Sequence, residues 1–81
     1  MSGIGSPFGG PRASGTVQLE AGAATVSEPS VTAESVIFLT IQGAAGDPAL
    51  PYVASRTPGV GFVISSLSNR DASTVGWLII G

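Results

Sequence analysis

Short apolar runs separated by polar turns recur along this chain, and the densest is Glu34–Gln42, read E-S-V-I-F-L-T-I-Q. Five of those nine residues are large and apolar, with the β-branched and aromatic types that suit a pleated strand. Side chains on a strand point alternately to opposite faces, so Ile37, Leu39 and Ile41 line one face and Val36 and Phe38 the other. Both faces avoid water, which predicts a central strand with a core on one side and a partner on the other.

The same period runs before and after it. Thr16–Leu19 and Ala23–Ser27 flank the turn Glu20-Ala21-Gly22 and predict a hairpin. Pro29 fits only a loop or a sheet edge, and Gly43–Pro48 is a turn-rich connection. Leu50–Arg56 follows, with Val53 on one face and Tyr52 and Arg56 on the other. After the Thr57-Pro58-Gly59 turn, Val60–Ser66 places Val60, Phe62 and Ile64 together. A polar loop, Ser68–Ser73, precedes Thr74–Ile80, where Val75, Trp77 and Ile79 oppose Leu78 and Ile80. About six short strands separated by Gly/Pro turns predict an all-β domain, a small antiparallel β-sandwich or jelly-roll-like barrel over residues 16–81. Residues 1–15 hold five Gly, three Ser and two Pro, a composition that resists helix and sheet. They form an extended docking arm in which Ile4, Phe8 and Arg12 are anchors spaced among small residues.

Composition sharpens the need for a partner. At 81 residues only about 60–65% of the unfolded surface is buried on folding, so a lone copy is marginal. There is no Cys for a disulfide and no His or Cys for a structural zinc. Charged residues are 10% of the chain and hydrophobic ones 43%, against about 25% charged in ordinary soluble domains. Oligomerisation is the remaining support. A net charge of −2 with three Arg and no Lys leaves no basic stripe for phosphates, so nucleic acid is not an expected partner. No apolar run suits a signal peptide or a membrane span, which points to synthesis in the cytoplasm and to no membrane partner.

Candidate chemistry is sparse. Without His or Cys, Ser-His-Asp and Cys-His catalysis are excluded. The five acids, Glu20, Glu28, Glu34, Asp47 and Asp71, each fall at a turn or strand end, where solvation is the expected role. The Gly spacing matches no phosphate-binding loop. No catalytic, cofactor or metal residue is expected, and the chain reads as a non-enzyme. Trp77 is expected in the core or a subunit interface rather than as a sugar platform. Arg56 either snorkels at an edge or pairs with an acid of a neighbouring subunit.

The runs A-T-V-S-E-P-S-V-T-A-E-S-V-I-F-L-T, Y-V-A-S-R-T-P-G-V-G-F-V-I-S-S and D-A-S-T-V-G-W-L-I-I resemble a short β domain that recurs in virion proteins of tailed bacteriophages. The resemblance covers about residues 23–81 and is most specific at Tyr52-Val53, Arg56, Gly59, Phe62, Ile64 and Thr74–Ile79. It implies a compact β-sandwich, typically trimeric, of the kind found in capsid decoration (cement) proteins, head fibres and some tail-associated proteins. A single module with a short arm suits decoration of the capsid exterior. Three copies would associate through Val36, Phe38, Leu78 and Ile80, with Arg56 at the subunit boundary. Ile4, Phe8 and Arg12 would then bind the major capsid protein. The alternative is a head-fibre or tail-fibre structural or receptor-binding module, with Asn69–Asp71 and Tyr52 as the candidate recognition set.

Overall fold

A computed structural model describes residues 11–80. They form six strands: β1 (Pro11–Gln18), β2 (Ala23–Ser27), β3 (Val36–Gly43), β4 (Pro51–Thr57), β5 (Gly61–Ser66) and β6 (Thr74–Ile80). Two three-stranded sheets result, ordered β1-β6-β3 and β2-β5-β4, and every strand pairing is antiparallel. β1 approaches β2 and β3 approaches β4 at the sides, so the sheets stack as the expected β-sandwich. Pairing with β6 begins at Pro11, inside the stretch whose composition suggested an arm.

The core is built by alternation. Leu19, Val26, Val31, Phe62, Ile64, Val75 and Ile79 are buried between the sheets, and Ile37, Leu39, Val53 and Trp77 pack around them. The central strands carry its aromatic centre: Phe62 of β5 and Trp77 of β6 meet edge to face, with centroids 5.4 Å apart and planes at 80°, a geometry favoured by the ring quadrupoles. Trp77 is thus a core residue, and its ring fills the space beside Gly15, where a Cβ would lie 2.8 Å from it.

Four expectations are corrected. The strand at residues 36–43 is at an edge, and β6 is central, bonded to β1 and β3. Both strands have apolar residues on both faces, and face patterns do not say which strand is flanked on two sides. The turn at Glu20–Ala23 closes as a tight turn, with Glu20 N donating to Ala23 O at 2.9 Å and Ala23 N to Glu20 O at 3.2 Å. Its central residues have positive φ, 54° at Ala21 and 80° at Gly22. Its strands nevertheless separate, β1 to β6 and β2 to β5, so the turn is a corner between sheets and not the tip of a hairpin. Third, a bulge between Val53 and Ser55 restores Arg56 to the register opposite Phe62, on the side of Val53 and Ile64, while Tyr52 faces outward. Last, Val60 lies in the turn before β5 and is exposed, so it does not share the buried face of Phe62 and Ile64.

Candidate functional site

The outer face of the β1-β6-β3 sheet follows from register. Val36 stands opposite Ile80 and Phe38 opposite Leu78, so four apolar side chains form two adjacent cross-strand pairs directed away from the core. Val36 is 53% and Phe38 55% exposed, and Leu78 and Ile80 are half-buried. On β1 the same rows continue into Ser14, opposite Leu78, and Thr16, opposite Gly76. The face therefore changes from apolar at the Val36–Ile80 end to hydroxyl-bearing at the Thr16–Gly76–Thr40 row. Gly76 keeps the middle low: Thr40 and Gln42 already stand 3.2 Å from where its Cβ would be. A shallow groove of about 530 Å³ runs here between Phe38, Leu78, Thr16 and Gln42. Ser14, Thr16, Thr40 and Gln42 continue the face with neutral polar groups.

The expected interface residues Val36, Phe38, Leu78 and Ile80 are thus brought together. Arg56 is not among them: its guanidinium donates to the Ser35 carbonyl of the same chain, joining β4 to the segment before β3. Of the expected arm anchors, Ile4 and Phe8 lie outside the described residues, and Arg12 is placed in β1.

Asp71 has a structural role that pattern reading misplaced. Instead of being solvated it is 1% exposed. Its carboxylate accepts hydrogen bonds from Ser73 N at 2.9 Å, Ser66 Oγ at 2.7 Å and Ala49 N at 2.9 Å. Bonds from Ser73 foremost, then Ser66, hold it far below the usual carboxylate range, against the opposing effect of burial. Its backbone also bonds, since Gly22 N donates to Asp71 O at 3.1 Å. One side chain thereby ties the connection before β4 and the residue before β6 to the end of β5. The proposed recognition set is not assembled, because Asp71 turns inward while Asn69 and Arg70 stay exposed. Spacing held a clue: an acid followed two residues later by Ser favours a local side-chain-to-backbone bond. Glu28 and Ser30 repeat it, with Ser30 N donating at 3.1 Å and Ser30 Oγ at 2.7 Å, which lowers the Glu28 pKa. Among the described residues no group of three His, Cys, Asp or Glu could hold a metal ion.

Residues 12–80 match the family model of the K1 capsule-specific polysaccharide lyase C-terminal domain. The chain belongs to this family. No curated protein sequence matches it. Membership of the K1 lyase C-terminal family supports a phage virion domain, and does not single out capsid decoration proteins. The match is to the C-terminal domain of the lyase.

Proposed function

We propose that the chain is a non-catalytic structural module of a phage particle, of the tail-spike or fibre kind, which assembles as a homotrimer through the outer face of β1-β6-β3. The observation that carries this reading is the outer face bearing the cross-strand pairs Val36–Ile80 and Phe38–Leu78. Apolar side chains at these exposures gain about 25 cal/mol for each Å² that a partner removes from water. In a trimer this face of each copy meets a different part of the next copy, a heterologous contact that closes into a ring about a three-fold axis. Family membership favours the spike or fibre location, because the family is named for a capsule-specific polysaccharide lyase. The module's contribution in that setting is to join subunits while another part of the particle acts on glycan. Decoration of the capsid exterior is the second reading, favoured by the Gly-rich residues 1–10 with Ile4 and Phe8 as anchors for the major capsid protein.

Sedimentation equilibrium at low micromolar concentration tests the assembly. A mass of three chains is the expected result, and a monomer at every concentration overturns it. Adding emptied capsids separates the two locations: co-sedimentation favours decoration, and its absence favours the spike or fibre.

A further inference from the structure

We infer that the groove over β5, on the outer face of β2-β5-β4, binds a neutral saccharide chain held by the hydroxyls of Thr25, Ser27, Ser55 and Thr57. Register builds the groove. Thr25 and Ser55 stand on either side of Val63, and Ser27 and Thr57 on either side of Gly61, while Phe62 and Ile64 turn into the core. Neighbouring strands lie about 4.8 Å apart, so the two hydroxyl walls are about 10 Å apart across β5. Gly61 brings no side chain to the floor and Val63 is half-buried, which leaves an open groove of about 90 Å³ bordered at the Gly61 end by Val60. This face is opposite the one through which copies associate, and the inference goes beyond that association without resting on it.

These four side chains are exposed, and among the described residues none of their hydroxyls has a hydrogen-bond partner. The hydroxyls of Ser30, Thr32, Ser66, Ser68 and Ser73, by contrast, are each bonded within the chain. Those bonded groups hold turns and strand ends together; the four on the groove hold nothing in the fold. Each can both donate and accept. A sugar hydroxyl has the same double capacity, which an ionised phosphate or carboxylate lacks. No residue lining the groove is charged, so an ionic ligand would lose its hydration without a compensating partner. A protein partner fits less well, because Ser, Thr and Val are scarce among the residues that dominate protein interfaces. Val63 and the 62% exposed Val60 present an apolar surface to the C–H groups of a sugar ring. Tyr52, one row beyond Ser55 and 44% exposed, adds an aromatic one. A groove this shallow does not enclose a small molecule, as pockets of about 300–1,000 Å³ do, and suits a chain lying along it.

Titration of the isotope-labelled full chain with neutral hexaoses of glucose, mannose and galactose, followed by amide chemical shifts, tests the site. At least one of them is expected to shift the amides of Thr25, Ser27, Ser55, Thr57 and Gly61, saturating by about 10 mM. A galacturonic acid oligomer of the same length should leave them unmoved. No shift with any neutral hexaose, shifts that map to another face, or equal binding of the charged oligomer overturns the inference. Ser27→Ala combined with Ser55→Ala takes one hydroxyl from each wall and touches no core residue. It should weaken binding about 10-fold, as the loss of two hydrogen bonds implies, while Trp77 emission and far-ultraviolet dichroism stay those of the folded sandwich. Unchanged affinity in the folded variant overturns the assignment, and if the variant does not fold the shift map decides. Ser14→Ala, on the other sheet, should leave affinity as it is; a matching loss there overturns the placement. Sedimentation reads the assembly separately: a monomer that binds hexaose keeps this site and removes the trimer, and a trimer that binds none does the reverse.

Discussion

Adjacent rows of the β1-β6-β3 sheet offer a direct contrast between association and folding. Phe38 is 55% exposed on the outer face, whereas Ile79, one residue from the partner of Phe38 on β6, is 0% exposed on the inner face. A Phe side chain has about 200 Å² to bury, so a neighbouring copy can cover roughly 110 Å² of Phe38, worth about 2.5–3 kcal/mol. Phe38→Thr removes that gain and keeps a good strand residue, so the dissociation constant should rise about 100-fold. The isolated sandwich should lose no more than about 2 kcal/mol, because part of Phe38 already rests on Leu78. Ile79→Ala should behave in the opposite manner. It opens a cavity against Val75, Phe62 and Trp77, at a cost of about 2–5 kcal/mol in folding, and leaves the outer face unchanged. Sedimentation velocity across a concentration series reads the first quantity. Urea unfolding below the dissociation constant reads the second, since binding would otherwise raise apparent stability. The reasoning is refuted if Phe38→Thr leaves the assembly mass unchanged, or if both variants shift unfolding equally and neither shifts association.

Two further outcomes follow from close contacts and from the buried acid. Gly61→Ala would put a Cβ inside the van der Waals shell of the Val26 carbonyl oxygen, and Gly43→Ala would meet nothing within 4 Å; thermal melts should show a loss of about 1–3 kcal/mol or more for the first and under about 0.5 kcal/mol for the second. Asp71 and Glu28 both have folded pKa values below their ordinary ones, 3.8 and 4.5 respectively, so their contribution is complete above those values. It is lost as pH falls below them towards the folded values; a melting temperature that is flat from pH 8 to 5 and declines below about 4 is expected, and Asp71→Asn should flatten that acid decline while lowering the plateau.

Faces were largely legible in this sequence, and edges were not. The alternation at Glu34–Gln42 and Thr74–Ile80 assigned Phe38 and Leu78 to one side and Ile37 and Ile79 to the other, which is how they stand. A two-residue period is a local property of the extended backbone, and any sheet that includes the strand preserves it. The same period broke where one residue was added: the bulge after Val53 put Arg56 on the core side, and no residue type announces a bulge without Gly or Pro to mark it. The turn at Ala21-Gly22 was visible for its chemistry, while the destination of its two strands was not.

By itself, then, the sequence determined the all-β class, the approximate positions of the strands from Ala23 onward, most of the inner and outer sets of side chains, and the shortage of charge. Those are consequences of local backbone geometry and of composition. The tertiary structure alone decided that β6 is flanked on both sides, that Val36, Phe38, Leu78 and Ile80 stand as neighbours on one outer face, and that Asp71 is enclosed by Ala49, Ser66 and Ser73. Each of these joins residues far apart along the chain. Pairing and enclosure are settled by the burial of the whole core and the satisfaction of its polar groups.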